Sequence, residues 1–431
     1  MSVLPGNSHS IAQKSGETWT GQADLQPIHR KSDRLLGAAP VFESRFVSTR
    51  ALAETHAASL VELNDGSVRA FWFSGSREGA PDVEIRSARF DPARGRWSVE
   101  TTVATRQEAQ RALWRPVKKL GNPVAARDDR GVLRLFYVTV SLGGWAGSSL
   151  SEKVSHDDGA TWSAPRRLVT SPFLNISTLV KGPPFGYADG TLGLPAYHEF
   201  ITKFGLLLRL DADGAVIDAM RLAPGGGHLQ PVVLVQSPTS ALVLMRHSGA
   251  PPHQVVGVQT EDAGAHWSAL RRFPLANPDS ALSALVLPDG RLLAALNDTE
   301  AGREVLSLAI SADGGENWRV IQRLEDARGV TSRCAVPQCL GGVLEGLVRA
   351  SQADVADPAG HVASALRTMC RGGRCGFEYS YPYLLLARNG DIHLVYTWNR
   401  AYIKHVRFNL AWLDQRAGRG VQKGRPMDDP E

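Results

Sequence analysis

Short apolar runs, each broken by a polar turn, recur along most of the chain. In "VELNDGSVRAFWF", "ARDDRGVLRLFYV", "GYADGTLGLPAY", "VLPDGRLLAAL" and "LARNGDIHLVYTW", two β-prone runs flank a turn at Gly66, Gly131, Gly190, Gly290 and Gly390. Glycine and asparagine tolerate positive φ, so these turns predict β-hairpins. A sixth hairpin is predicted from "VVLVQSPTSALVLMR", with its turn at Pro238–Ser240.

A second kind of turn recurs in register with the first. "SHDDGATW" (155–162), "TEDAGAHW" (260–267) and "SADGGENW" (311–318) share the pattern Ser/Thr-x-Asp-x-Gly-x-x-Trp. "RFDPARGRW" (89–97) and "RLDADGAV" (209–216) read as worn copies. With Asp91, Asp157, Asp213, Asp262 and Asp313 as markers, the steps are 66, 56, 49 and 51 residues. A repeat of about fifty residues with four short strands predicts a β-propeller blade. The fold class expected is therefore all-β, a six-bladed β-propeller. The sixth hairpin leads to "AYIKHVRFNLAWL", read as a last strand, and residues 320–378 are an insertion before the last blade. The polar segments 1–40 and 416–431 are an N-terminal arm and a C-terminal tail around a propeller over 41–415. The repeated turn is scaffold: its Asp accepts backbone N–H bonds, its Gly permits positive φ and its Trp packs between blades.

Composition narrows the function classes. No apolar run is long enough to span a membrane. The N-terminus lacks the apolar core of a secretion signal, so the expected compartment is the cytoplasm, or the periplasm or exterior if a leader has been removed. The net charge is +5, and 39 Arg stand against 9 Lys without a basic stripe interleaved with aromatics, so nucleic acid is not an expected partner. Cys334, Cys339, Cys370 and Cys375 all fall in the insertion, in "CAVPQC" and "CRGGRC". Their four-residue gaps suit two disulfides better than a zinc site, with four reduced thiols the alternative in a reducing compartment.

The Asp-bearing turn resembles the Asp-box of the sialidase superfamily, and the chain over 45–412 is similar to its bacterial BNR-repeat, sialidase-like members. The resemblance implies a six-bladed propeller whose inner strands aim side chains at a central mouth. It also implies three arginines on a substrate carboxylate, an Asp as acid/base, and a Tyr nucleophile activated by a Glu. By spacing to the turns, the first arginine position is held by His56, a departure. The acid/base loop matches "SGSREGAPDVEIR", with Asp82 as the acid and Arg77 and Glu78 beside it. Gln230 stands at the Glu position, a second departure, with Arg246 as the second arginine and Arg303 as the third. Tyr381, rather than Tyr379, matches the nucleophile.

The residue types carry a chemistry of their own. Arg246 and Arg303 can form a bidentate carboxylate clamp. Tyr381 needs a base to take its proton. The Gln230 amide cannot serve, whereas an imidazole at His56 can. Asp82, with Glu78 close by, can protonate a leaving oxygen. Arg400 and Lys404, with Asn399, in "YTWNRAYIKH" can line the mouth or cap the last blade, and Asn122, Asn277 and Asn297 can contact sugar hydroxyls.

The expected function is an exo-glycosidase on an acidic sugar, since Tyr381, Asp82 and two arginines fall in register. The alternatives are a polysaccharide lyase on a uronate-containing glycan using His56 and Tyr381, and a non-catalytic glycan-binding propeller. The expected partner is an acidic oligosaccharide or glycoconjugate. No cofactor or metal cluster is implied, and a calcium ion stays open.

Overall fold

Six twisted antiparallel sheets are arranged as the blades of a propeller in the computed structural model. It describes residues 23–26, 39–49, 54–171, 174–334, 336–350, 355, 357–371 and 374–419. From the innermost strand outward, blade one is Glu54–Glu62, Val68–Gly75, Glu84–Asp91 and Arg96–Trp97, with Thr101–Ala104 also on the third strand. A short helix, α1 (Arg106–Ala112), capped by Thr105, leads from blade one to blade two. Blade two is Lys119–Arg127, Leu133–Val140, Ser148–Ser155 and Arg166–Arg167. Blade three is Leu179–Val180, Leu192–His198, Phe204–Leu210 and Val216–Arg221, with Phe185–Gly186 also on the second strand. Blade four is His228–Val235, Ala241–His247, Gln254–Thr260 and Arg271–Ala276. Blade five is Ser283–Val286, Leu292–Leu296, Val305–Ser311 and Arg319–Asp326.

Blade six takes strands from both ends of the chain. Tyr379–Leu386, Ile392–Trp398 and Tyr402–Phe408 are completed by Phe42–Phe46, paired antiparallel from Phe42↔Phe408 to Phe46↔Lys404. This pairing clasps the ring. Apolar side chains from neighbouring blades then interleave. Leu60, Trp72 and Phe90 of blade one, for example, meet Tyr383, Val395 and Ile403 of blade six. Each large side chain so buried contributes about 1.5–3 kcal/mol.

The expected turns form as the sequence implies. Gly66, Gly131, Gly190, Gly290 and Gly390 hold φ between +80° and +91°, where a Cβ would be strained. In the three full boxes Asp157, Asp262 and Asp313 accept the N–H of Thr161, His266 and Asn317 at 2.8–2.9 Å. Hydrogen bonds from Thr161 and Ser155 pull Asp157 down to about 2. Trp162 packs edge-on against Phe71 of blade one at 5.8 Å, bridging two blades. In blade three Asp211, rather than the expected Asp213, accepts the N–H four residues on, at 2.8 Å from Ala215, and Asp213 stands exposed.

Three expected boundaries are corrected. The insertion does not begin at 320, because Arg319–Asp326 pairs with Val305–Ser311 as the outer strand of blade five, with Ile321 and Glu325 buried. Beyond that strand the insertion is helical: α2 (Val330–Arg333), α3 (Pro337–Ala350) and α4 (Pro358–Met369), the last capped by Asp357. Leu340, Leu344 and Val348 of α3 recur at helical spacing and bury against the core of blades five and six. Disulfides Cys334–Cys339 and Cys370–Cys375 brace its ends.

The last strand stops at Phe408, because the Asn409 side chain accepts the Trp412 N–H and caps a helix over Leu410–Arg419, into which the first residues of the expected tail fall. Within the expected arm, Leu25 pairs with Tyr187 across blade three, and the rest of 1–38 lies outside the described residues apart from 23–26, as does 420–431. No helix among the described residues is long and apolar enough to cross a membrane.

Candidate active site

Each blade meets the axis through one non-glycine residue in the left-handed region. These are Ala57, Asn122, Ser177, Gln230, Asp279 and Tyr381, with φ between +43° and +59°. In blades one, two, four and six the residue sits in a β-bulge of the inner strand, where the register slips between His56/Ser59, Gly121/Val124, Leu229/Val232 and Ser380/Tyr383. A bulge re-aims a side chain. Proline comes directly after three of the six, at Pro123, Pro231 and Pro382, where the bulge removes the need for a ladder N–H. Such backbone costs on the order of 1–3 kcal/mol per residue, and six in one ring mark the mouth.

A belt of polar side chains runs around that mouth through all six blades. Asn122 Nδ2 donates to the Tyr197 hydroxyl at 3.0 Å, and Gln230 Nε2 reaches Tyr197 at 3.3 Å and Tyr381 at 3.4 Å. Arg246 Nη1 donates to Gln230 Oε1 at 3.1 Å, and its Nε donates to Asp279 Oδ1 at 2.7 Å. Arg303 donates to the Asp279 carbonyl at 3.1 Å and to Glu378 at 3.4 Å. Arg400, on a turn where it and Asn399 both hold φ +54°, bonds Glu378 at 2.8 Å and Glu78 at 2.7 Å. The His56 ring lies 4.3 Å from that of Tyr381, and its buried Nδ1 has no hydrogen-bond partner among the described residues.

Burial and charge set the protonation of these groups. Burial, with help from Arg400, lowers His56 to about 4, so the imidazole is neutral near pH 7. Burial pushes Glu378 up, but the charges of His56 and Arg400 and hydrogen bonds from Ser380 and Arg400 outweigh it and hold it at about 2. With the imidazole neutral at pH 7, Arg400 is the charge that matters there. Glu78 is lowered against its burial by the same two charges. Glu199, on the blade-three loop next to the mouth, is raised, chiefly by burial. Lys181 is fully buried, donates to the Pro382 carbonyl at 3.1 Å, and is lowered by burial to about 7.

The expected residues divide. Tyr381, His56, Gln230, Arg246, Arg303, Arg400, Glu78 and Asn122 come together at the mouth. Asp82 makes no hydrogen bond to them among the described residues: its carboxylate accepts the Ser76 N–H and hydroxyl at 2.9 Å on the exposed loop that also carries Arg77 and Glu78. Lys404 turns away from the mouth into a buried pair with Glu325 at 2.6 Å, shared with the Tyr396 hydroxyl. Asn277 and Asn297 are buried around Ser280, bracing the strands of blade five.

Sequence reasoning missed Asp279, Glu378, Tyr197, Lys181 and Trp145. Trp145 lies against Gly121, where a Cβ would meet the ring at 2.5 Å, and carries Lys119 Nζ 3.8 Å from its centroid. A cavity at the other end of the axis, lined by Leu60, Ala125, Phe185 and Tyr383, contains none of the mouth groups. Among the described residues, no three His, Cys, Asp or Glu side chains gather as a metal site would require.

Six blades, Asp-box turns and a polar mouth define a sialidase-like β-propeller. The BNR repeat-like domain matches residues 66–394, more than half of the sequence, and the chain belongs to that family. A Hadza microbial sialidase shares the fold at 17% identity and a TM-score of 0.61, covering 83% of this chain and 66% of that one. A protein of unknown function from Dyadobacter fermentans does so at 12% and 0.61, covering 87% and 99%. The intramolecular trans-sialidase from Ruminococcus gnavus does so at 13% and 0.57, covering 85% and 96%. The chain spans a little under two thirds of the first of these. At such identities the likeness is one of fold. No curated protein matches the chain in sequence.

Proposed function

We propose that the propeller mouth cleaves the glycosidic bond of a sugar, with Tyr381 at the reacting centre. One observation carries the reading: Tyr381 stands on a strained bulge, and its hydroxyl is held by Gln230 within a belt drawn from every blade. Tyr381 attacks the anomeric carbon as its proton passes to the neutral His56 imidazole and the bond to the leaving oxygen breaks. Water, giving its proton to Glu199, then displaces the phenol, which takes its proton back from His56. Arg246, paired with Asp279, stands beside the attacking oxygen. Glu199, the carboxyl near the mouth whose proton is retained to higher pH, is the candidate acid for the leaving oxygen in place of Asp82. The carboxylate clamp expected of Arg246 and Arg303 would have to form while they are paired with Asp279 and Glu378.

A second reading, the lyase, is favoured by the neutral His56 beside Tyr381, a base and acid side by side next to a sugar α-proton. The test is product analysis on a panel of glycans. Hydrolysis releases a reducing sugar without near-ultraviolet absorbance, whereas elimination creates an absorbing double bond. Hydrolysis abolished by Tyr381→Phe supports the first reading. Binding without turnover would leave the glycan-binding propeller.

A further inference from the structure

The charges around the mouth alternate. Three guanidinium groups, Arg246, Arg303 and Arg400, are met by three carboxylates, Asp279, Glu378 and Glu78. The rest of the belt, Gln230, Tyr197 and Asn122, is uncharged. We infer that the mouth selects an uncharged sugar, a neutral hexose or deoxyhexose at the end of a glycan, and grips its hydroxyls between alternating guanidinium and carboxylate groups. The inference rests on reading the mouth as a sugar site.

The argument is one of complementarity. A guanidinium only donates and an ionised carboxylate only accepts, whereas a hydroxyl does both. A hydroxyl set between Arg246 and Asp279 accepts from one and donates to the other, and its neighbour on the ring does the same with Arg303 or Arg400 and Glu378. A sugar acid satisfies only the donors. Its carboxylate would sit beside Asp279 and Glu378, which already balance the charges of Arg246, Arg303 and Arg400, so like-charge repulsion weighs against it. Elimination needs a substrate carboxylate to be neutralised, so the same balance favours hydrolysis over the lyase.

The experiment uses the full chain and methylumbelliferyl glycosides of galactose, glucose, mannose and fucose against those of N-acetylneuraminic acid and glucuronic acid. Turnover is followed for the native protein, and binding of the free sugars by calorimetry for Tyr381→Phe. The expected result is a neutral glycoside turned over, or its sugar bound, at least tenfold better than either acid. Asp279→Asn, which frees the Arg246 charge, should narrow or reverse that ratio by tenfold.

Tighter binding or faster turnover of an acid by the native protein overturns the inference while leaving hydrolysis intact. Neutral sugars bound at the mouth but never cleaved overturn hydrolysis and leave the inference standing. No binding of either class overturns both.

Discussion

The Gln230 amide donates to the Tyr381 hydroxyl at 3.4 Å, from blade four to blade six across a mouth to which the two residues come 151 positions apart in sequence. An amide can hold a phenol but cannot take its proton.

Gln230→Glu should therefore add a carboxylate base at the phenol. If Tyr381 is the nucleophile, kcat rises by about tenfold or more, with a new acid limb set by the introduced carboxyl. Tyr381→Phe should lower kcat by roughly 10³-fold while sugar affinity stays within threefold. Initial rates across pH, with calorimetric titration of the Phe variant, check both.

His56 makes stability depend on pH. Its folded value of about 4 lies below the unfolded 6.5, so the unfolded chain binds the extra proton first. Its contribution is complete above pH 6.5 and is lost as the pH falls toward 4. The size is about 3 kcal/mol, and His56→Phe should remove that share of the slope. Denaturant titrations between pH 4 and 7 measure it, and Tyr381 turnover in the variant shows whether the imidazole also serves as a base.

Lys181 behaves in the same sense at higher pH. Burial lowers it from 10.5 to about 7, so folding favours the neutral amine and stability rises from pH 7 toward 10.5. Lys181→Met should stabilise the protein at pH 6 by roughly 1–4 kcal/mol. It should also lower activity, because the ammonium that holds the Pro382 carbonyl beside Tyr381 is gone. Melting curves at pH 6 and 9, with kcat at each, test this.

Each disulfide closes a short loop, with a sequence separation of 5. Reduction should cost about 2 kcal/mol per bond and leave the blades folded, since their strands pair without the insertion. Melting with and without a thiol reductant, followed by far-ultraviolet circular dichroism, checks it.

The local code was legible because turns are decided by neighbours in the chain. Glycines with positive φ and Asp side chains bonding four residues ahead fixed the hairpins and boxes, and their spacing gave six blades. Within the sialidase resemblance, the positions His56, Gln230, Arg246, Arg303 and Tyr381 came from distance to those turns. The bulges also left a mark, a proline inside an apolar run in "LGNPVAAR", "HLQPVVLV" and "SYPYLLL". Helix α3 showed its Leu340, Leu344, Val348 spacing, and Asn409 its capping chemistry.

Side-chain partners across the axis had no such mark. Asp82 and Lys404 had the right chemistry and reach, yet Ser76 claims one and Glu325 the other. Asp279 and Glu378 became mouth residues only because blades five and six bring them to Arg246, Arg303 and Arg400. The sequence by itself determined the repeat, the turns and which strand ends face inward, since these depend on local backbone preference and the period of apolar side chains. Tertiary structure alone decided the clasp by Phe42–Phe46 and the charge balance of the mouth, because both depend on which distant groups come within hydrogen-bonding distance once the ring is closed.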